Sequence, residues 1–223
     1  MLSDLQDLVT ALVRDGSSAI TTDDRDAALD AALARYSADR PRTVLAALSG
    51  GGPGRLDLPD DWEPDVSRIA SIEAPAGLIP PAFLASNLWA VHQTADGPAL
   101  YLFASLAAGT DILLGYTVSH VVTAETDTVP ARDREAVCCW AAALLLDQLA
   151  SLTAGQGSPT IVTDQRDWET RSREYAARAK SLRSRYQDLL GVEDRRAAPA
   201  GVVVSHPDRD TRGQPRLQRR IFL

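Results

Sequence analysis

The chain has 223 residues but only two cysteines and three histidines. Cys138 and Cys139 are adjacent in an Ala/Leu-rich stretch, and neighbouring side chains on a helix diverge by about 100°, which excludes a strain-free bridge between them. We therefore predict buried free thiols. The three histidines His92, His120 and His206 lie far apart, and none has a Cys, Asp or Glu at the spacing of a zinc site. The sequence predicts no metal and no cofactor.

Long apolar runs are also missing. No segment approaches the ~18 uninterrupted apolar residues that a membrane-spanning helix needs. Residues 1–14 alternate acids with leucines, whereas a secretory signal begins with a basic segment followed by an apolar one. We therefore expect a soluble protein that is made in the cytoplasm and has no membrane partner.

The usual catalytic motifs are absent as well. The glycine-rich stretch 49–55 has no following Lys-Ser or Lys-Thr, and Pro53 removes an amide donor, so we predict a hairpin turn there rather than a phosphate loop. The acid pairs Asp60 with Asp61 and Glu125 with Asp127 stand beside prolines and threonines, which favours caps and turns. No serine has a nucleophile-elbow motif around it. We expect a protein that is not an enzyme, and a hydrolase built on scattered acids is the least favoured alternative.

What the chain does have is a charge that is divided by position. Residues 1–170 contain 10 Arg and 24 Asp or Glu, a net charge of −14, whereas residues 171–223 contain 13 Arg or Lys and 6 acids, a net charge of +7. The sum is the overall −7. A basic end on one subunit complements the acidic body of the next, and a repeated head-to-tail contact closes into a ring or continues as a filament. The charge pattern therefore favours self-assembly, although a solvated basic helix with a loose tail would show the same counts.

Residues 1–40 carry the spacing of two helices. The first is predicted to begin with a capping box between Ser3 and Gln6 and to end at Gly16. The second is predicted to be capped by Thr22 and to stop at Arg40-Pro41. Each has an apolar face at helical spacing, formed in the first helix by Leu5, Leu8, Val9 and Leu12 and in the second by Ala28, Leu29, Ala32, Leu33 and Tyr36.

Residues 41–127 have recurring proline and glycine between short apolar runs, which predicts an inserted β-rich region. The clearest strand is 111–119, and we predict that it pairs with 100–105 through a turn at Ala108-Gly109. Further strands are predicted at 66–73 and 83–92, the second followed by a hairpin turn at Asp96-Gly97. Together they form one small antiparallel sheet.

Residues 128–191 return to the helical pattern. Asp127 and Thr128 are predicted to cap a helix, with Pro130 in its first turn. Residues 136–149 are apolar on all sides, so this helix is predicted to be central and buried. After a break at residues 155–159, a last helix over 164–190 places a packing seam on one side and ends at Gly191; the seam is Tyr175, Ala179, Leu182, Tyr186 and Leu189.

The other faces of this last helix are basic. Between residues 171 and 185 they carry six bases against the single acid Glu174, and we predict that these bases form an interface with a neighbouring subunit or a partner protein; they are Arg171, Arg173, Arg178, Lys180, Arg183 and Arg185. Residues 192–223 mix Pro, Gly, Asp and Arg without a period and are predicted to be an extended arm. The predicted fold is α+β and mainly α: a helical bundle core from 1–40 and 128–191, the inserted sheet, and the C-terminal arm.

Four stretches in this order resemble a known family. They are residues 40–75, with Leu58-Pro59-Asp60-Asp61-Trp62 inside; residues 120–133, with Asp127-Thr128-Val129-Pro130; the apolar helix 136–150; and the basic helix 172–191. In this order they resemble the head-tail connector (adaptor, neck) proteins of tailed bacteriophages and related gene-transfer particles. The likeness spans most of residues 30–191.

The resemblance implies a structural subunit at the head-tail junction of a virion, assembled in the cytoplasm of a bacterial host. It implies a homo-oligomeric ring, usually of twelve subunits, that docks on the portal protein, is continued by a tail, stopper or tail-terminator protein, and lets DNA pass through its lumen. It also implies a C-terminal arm that binds the portal, here formed by Arg209, Arg212, Arg216, Arg219, Arg220 and Phe222.

An alternative from another class stays open at this point. The basic helix 171–185 could bind phosphates in a bacterial nucleic-acid-associated regulator. The acidic total charge, the 5% aromatic content and the lack of a helix-turn-helix or finger pattern disfavour sequence-specific DNA recognition.

Overall fold

The structure is a computed structural model that describes residues 1–14, 19–49, 54–64, 66–95, 97–104, 106–107, 109–155 and 162–191, without the side chains of 155 and 162–169. Contacts divide the chain into the units Met1–Val192 and Glu193–Leu223. The predicted arm therefore lies outside the described residues. Within them the fold is mixed helix and strand, with four α-helices and two small antiparallel sheets.

The elements follow in the order two helices, six strands, two helices. The helices are α1 (Leu2–Val13), α2 (Thr22–Asp39), α3 (Arg134–Gly155) and α4 (Val162–Leu190). The strands are β1 (Arg42–Ser49), β2 (Gly54–Asp57), β3 (Ile69–Glu73), β4 (Trp89–Thr94), β5 (Gly97–Leu102) and β6 (Asp111–Val118). Short 3-10 turns precede β4 at Ser86–Leu88 and α3 at Ala131–Asp133.

The first helix is confirmed, but its predicted capping box is wrong. Because α1 already begins at Leu2, Ser3 lies inside the first turn, and Met1 is an N-cap whose side chain accepts no helix amide. At the other end Arg14 takes a left-handed conformation with φ 49°, and its N–H donates to the Thr10 carbonyl at 3.0 Å. The helix thus ends ahead of Gly16, which lies outside the described residues.

The second helix is capped one residue earlier than predicted. Thr21, not Thr22, is the N-cap: the Asp24 N–H donates to its Oγ1 at 3.1 Å, and its own N–H donates to the Asp24 carboxylate at 3.0 Å. The hydrogen bonds from Thr21 lower the pKa of the Asp24 carboxyl. The stop at Arg40 and the predicted apolar face of α2 are confirmed.

The third helix is the centre of the helical part, as predicted. The other three helices pack around α3, and the six residues Ala136, Cys138, Cys139, Ala141, Ala142 and Leu146 have no solvent exposure. By length and composition the segment Ala131–Ala154 is apolar enough to cross a membrane, and 56% of its most apolar window is buried inside the subunit. A helix that other helices surround is also apolar on all sides, because every one of its faces is removed from water.

The fourth helix packs on α3 through the predicted seam with one correction. Ala179 and Tyr186 are buried, and Tyr175 and Leu182 pack against the same core at partial exposure. Leu189 is exposed, and Leu190 is buried in its place because it lies one helical turn after Tyr186. Gly191 ends the helix as predicted, with φ 62° and its N–H 3.3 Å from the Asp188 carbonyl.

The inserted region holds two sheets where one was predicted. The first has the strand order β1-β6-β3 and the second β2-β5-β4. The alternation in β6 is confirmed, since Ile112, Leu114, Tyr116 and Val118 are all buried. The hairpin between β4 and β5 is also confirmed, with Thr94 opposite Gly97. The predicted strand 83–92 is shorter and later, and the strand 66–73 begins at Ile69.

Two predicted pairings in this region are wrong. The strand over 100–105 does not pair with 111–119, because β5 lies between β2 and β4 while β6 lies between β1 and β3. The apolar residues of the two strands, such as Leu100 and Leu114, instead share one core between the sheets. The glycine-rich stretch 49–55 does not close a hairpin either, since the flanking strands β1 and β2 belong to different sheets. Residues 50–53 lie outside the described part.

A buried carboxylate joins three helix ends. Asp133, just before α3, accepts a hydrogen bond from the Tyr36 hydroxyl at 2.7 Å and an ion pair from Arg40 Nη1 at 3.0 Å. Arg40 Nη2 also donates to the Leu190 carbonyl at the end of α4, at 2.6 Å. Burial, and next the hydrogen bond to Asp133, raise the pKa of Tyr36. We call this group the Asp133 junction.

The exit of β6 is tied to the same place. The ring of His120 lies 4.8 Å from that of Tyr36, and its two nitrogens lie 3.0 Å from the carbonyl oxygens of Arg40 and Thr128. The backbone N–H of His120 donates to Ser37 Oγ at 2.8 Å. Asp127, predicted to cap α3, does not do so. It accepts the Val129 N–H at 2.8 Å as a turn former and pairs with Arg134 at 2.7 Å.

The helix cap gives a first prediction. Thr21→Ala removes the acceptor of the Asp24 N–H and is expected to lower the free energy of unfolding by about 1 kcal/mol. Thr22→Ala, inside the first turn, is the matched control and should change it by only a few tenths of a kcal/mol. Urea denaturation of both variants measures the difference. Equal costs for the two threonines would contradict the observed cap.

The Asp133 junction gives a second prediction. Asp133→Ala leaves Arg40 and the Tyr36 hydroxyl without their partner and is expected to destabilise the fold by about 3–5 kcal/mol. Arg132→Ala is the control, because this arginine is 79% exposed and only approaches the same carboxylate at 3.5 Å. Its removal should change stability by no more than about 0.5 kcal/mol. Chemical denaturation compares them, and a small effect of Asp133→Ala would show that the junction is dispensable.

Candidate interaction surfaces

Three of the six predicted interface bases on α4 bind inside the subunit. Arg178 Nη2 donates to the carbonyls of Leu12 and Val13, at 2.9 and 3.1 Å, and so satisfies the C-terminal end of α1. Arg183 forms an ion pair with Asp147, and Arg185 forms one with Glu135. Both acids are on α3, so these bases attach α4 to the central helix.

The Arg183 contact also has an aromatic part. Its guanidinium lies 5.9 Å from the centre of the Trp140 ring, and Arg35 of α2 approaches the same ring at 5.1 Å. Trp140 in turn packs 4.9 Å from Tyr186. The unusual Cys-Cys-Trp sequence in α3 therefore places an indole where it contacts arginines from two neighbouring helices.

The other three predicted bases are exposed. Arg171, Arg173 and Lys180 all point part of their side chains to solvent on α4. Arg178 and Arg185 are exposed as well, so exposure alone does not separate the two sets. The six residues predicted for the portal-binding arm lie outside the described residues; they are Arg209, Arg212, Arg216, Arg219, Arg220 and Phe222.

The acids near Trp62 have structural partners. Asp60 and Asp61 lie in a turn, as predicted, and the Tyr116 hydroxyl donates to the Asp61 carboxylate. Burial, and next this hydrogen bond, raise the pKa of Tyr116 to about 12. Glu63 accepts the Ser119 N–H at 3.2 Å and the Ser119 hydroxyl. These carboxylates fasten the loop before β3 to the end of β6.

The histidines and cysteines have packing roles in the described part of the chain. His92 contacts Tyr101 edge to face at 5.4 Å, and His120 belongs to the Asp133 junction, whereas His206 lies outside the described residues. Among described residues no group of three or more His, Cys, Asp or Glu is arranged to hold a metal. Cys138 and Cys139 are buried free thiols, as predicted, and burial raises the pKa of Cys138 to about 12.

An apolar loop projects from the end of β3. In residues 74–83, named here the apolar loop, Ile79 is 98% exposed, Phe83 63% and Leu78 50%. Backbone contacts hold its base: the Ala74 N–H donates to the Ala82 carbonyl at 2.9 Å and the Gly77 N–H donates to Glu73 Oε1 at 2.8 Å. Gly77 has φ +82°, a conformation that side chains rarely adopt. The exposed apolar tip therefore has a defined conformation.

An aromatic groove lies near the start of the same strand. It has a volume of about 460 Å³ and is formed by the loop before β3 and by the second sheet; its lining includes Trp62, Pro64, Arg68, Trp89, Val91 and Pro98. We call it the indole groove. Its size falls in the range of about 300–1,000 Å³ that is typical of ligand pockets.

Comparison with known proteins adds no assignment. No protein-family model matches this chain, and no curated protein matches it.

Sequence reasoning missed three of these features. The Asp133 junction joins residues 97 positions apart in sequence, and no local pattern marks such a pair. The indole groove combines residues from two sheets whose pairing was predicted wrongly. The apolar loop had a visible signal, since no Asp, Glu, Lys or Arg occurs between Glu73 and Asp96. A long uncharged interval next to prolines could have indicated an exposed contact segment.

The buried thiols give a third prediction. Because the thiolate is the reactive form and burial raises the pKa of Cys138 to about 12, the folded protein should not react with a thiol reagent at pH 8. Two thiols should become reactive after denaturation. Ellman's reagent measures both states, and Ser184→Cys, at an exposed position of α4, is the positive control. Rapid reaction of a native thiol in the folded protein would contradict its burial.

Proposed function

We propose that the chain is a structural head-tail adaptor of a tailed bacteriophage or a phage-like gene-transfer particle. In this proposal its subunits form a ring beneath the portal, and the tail continues from it. Rings of the family that the chain resembles usually have twelve subunits. DNA passes through the lumen. The proposal rests on the ordered resemblance in residues 40–191 and on the surfaces described above.

The observation that carries the proposal is the exposed apolar surface of the inserted region. Ile79, Phe83 and Leu78, all in the apolar loop, are 98%, 63% and 50% exposed in the isolated subunit. Large exposed apolar side chains that cluster on one part of a protein are typical of surfaces that an assembly covers. A structural subunit that works only inside a particle has such surfaces because neighbouring molecules cover them in the assembly.

The helical part also fits an adaptor. α1, α2, α3 and α4 contribute to one hydrophobic core, which supports a helical bundle formed from the two ends of the described chain. The sheets between α2 and α3 have a core of their own, which supports an inserted module. In the proposal the bundle forms the body of the ring and the inserted module supplies contacts between neighbours.

The charge distribution supports a duct for DNA. The first 170 residues carry a net charge of −14, and acids repel phosphates where lysines and arginines would bind them and release counterions. In the proposal, acidic surface of the body faces the lumen and the basic arm of residues 192–223 binds the portal. A segment that orders on binding can cover a large partner surface, and its arginines pair well with carboxylates.

The regulator alternative has less support. Arg178, Arg183 and Arg185 bind carbonyls or carboxylates of their own subunit, so these bases of helix 171–185 are already engaged. We expect weak or no binding to duplex DNA at low salt. Binding that falls steeply with salt and is lost in Arg178→Glu with Arg183→Glu would favour the regulator instead.

The fourth prediction tests the adaptor directly. Full-length protein mixed with the portal of the same particle should form a ring-shaped complex, seen by mass measurement and electron microscopy. Arg219→Glu with Arg220→Glu should weaken portal binding about tenfold or more, because the arm loses two cations that pair with portal acids. Arg195→Glu with Arg196→Glu is the control: it makes the same change in charge before the predicted portal-binding residues and should bind nearly as wild type.

Two results would count against the proposal. One is the absence of any portal complex at low and moderate salt. The other is equal portal binding by both double variants, which would remove the arm from the mechanism.

A further inference from the structure

We infer that the apolar loop of one subunit docks in the indole groove of a second copy of this chain, and that this repeated contact joins neighbouring subunits. The inference rests on the proposed function, because it names the subunit contact of the proposed ring. It assigns a role to two surfaces that described residues of the isolated subunit form.

The loop has the properties of an inserted anchor. Its tip, Leu78-Ile79-Pro80-Pro81, has no charge, and Ile79 has 98% of its surface exposed. Its base is fixed by three hydrogen bonds of 2.8 to 2.9 Å, including one from the Ala76 N–H to the Asp111 carbonyl. A preformed loop loses little conformational entropy when it binds, so more of the apolar contact appears as affinity.

The groove has the properties of a complementary receptor. Two half-buried indoles, Trp62 and Trp89, line it together with Pro64 and Pro98. Aromatic rings and prolines are both rigid, so they pack face to face at small entropic cost. The apolar loop supplies adjacent prolines next to two branched aliphatic side chains, so its chemistry matches this lining.

The positions of the two surfaces exclude closure within one subunit. The groove includes Ile69 at the start of β3, whereas the loop follows Glu73 at its end. Five residues of strand separate them by roughly 15 Å at ~3.3 Å per residue, and hydrogen bonds hold the base of the loop beside the end of β3. A second copy must therefore provide the loop that fills the groove.

The charges beside the two surfaces are also complementary. Among the described residues that line the groove, Arg68 is the charged one, and its side chain is exposed. Asp111 is exposed beside the loop, where its carbonyl accepts the Ala76 N–H. When the loop of one copy enters the groove of the next, these opposite charges approach each other at the rim. Such a pair sets the orientation and register of the contact.

The contact uses different surfaces on the two partners, so it is heterologous. After two copies bind, one of them still has a free groove and the other a free loop, so the assembly grows until it closes into a ring. A symmetric dimer would not leave these free surfaces. The structure thus predicts a specific pattern of complementation between variants.

The fifth prediction uses three lysine substitutions at exposed positions of the full-length chain. Ile79→Lys removes the anchor, Val91→Lys blocks the groove, and Leu152→Lys on α3 is the matched control. We expect wild type and the control to self-associate with rising concentration in sedimentation velocity runs. Each of the first two variants should weaken association by at least about thirtyfold, because an ammonium group has no partner in the apolar contact.

An equimolar mixture of Ile79→Lys and Val91→Lys is the decisive sample. The intact loop of Val91→Lys should bind the intact groove of Ile79→Lys, and the resulting pair has only defective surfaces left. We therefore expect a heterodimer and nothing larger. Circular dichroism checks that each variant is folded, and Gln93→Lys, also in the groove lining, provides a second groove variant.

The rim charges give an independent readout. Arg68→Asp and Asp111→Arg alone should each weaken association about two- to fivefold, as expected for exposed ion pairs. The two changes combined in one chain should restore association. Every contact then joins an acid at position 68 of one copy to a base at position 111 of the next.

Several outcomes would overturn the contact: wild type that stays monomeric at the highest concentration it tolerates, variants that assemble like wild type, or a mixture without heterodimer. These outcomes are distinguishable from failure of the adaptor proposal. Self-assembly without portal binding would reject the adaptor proposal and leave the contact between copies supported. Portal binding by subunits that fail the complementation would reject the contact and leave the adaptor proposal supported.

Discussion

The described fold depends on one buried carboxylate. Asp133 holds the end of α2 through Tyr36 and Arg40, and Arg40 extends the link to the last carbonyl of α4. His120 brings the exit of the sheets to the same point. A buried charge is stable only when its partners are in place, so this junction forms correctly only when three helix ends and the inserted region are assembled together.

That constraint explains how a helical body tolerates a long insertion. The chain leaves the helices after α2 and returns just before α3, and both points lie at the Asp133 junction. The sheets have their own core, so their surface residues are free of the packing that governs the helices. The apolar loop and the indole groove both occur in this inserted region. Its apolar surface is consistent with a role in contacts between molecules.

The basic helix shows why a charge count is an incomplete guide to a binding surface. Its seam and its stop were predictable, because the 3.6-residue period and a glycine at the C-terminus are local signals. The engagement of Arg183 with Asp147 and of Arg185 with Glu135 was not, because those acids are on another helix. Only packing distinguishes a base that stabilises its own subunit from one that remains for a partner.

The sequence by itself determined the helices, their buried faces, the central helix, the free thiols and the alternation of β6, since each of these depends on residues close together in the chain. Tertiary structure alone decided which strands pair and which polar groups meet at Asp133. The pairing of strands depends on how two sheets share a core, and a buried ion pair depends on which residues are close in three dimensions. Neither has a local period that can be read along the chain.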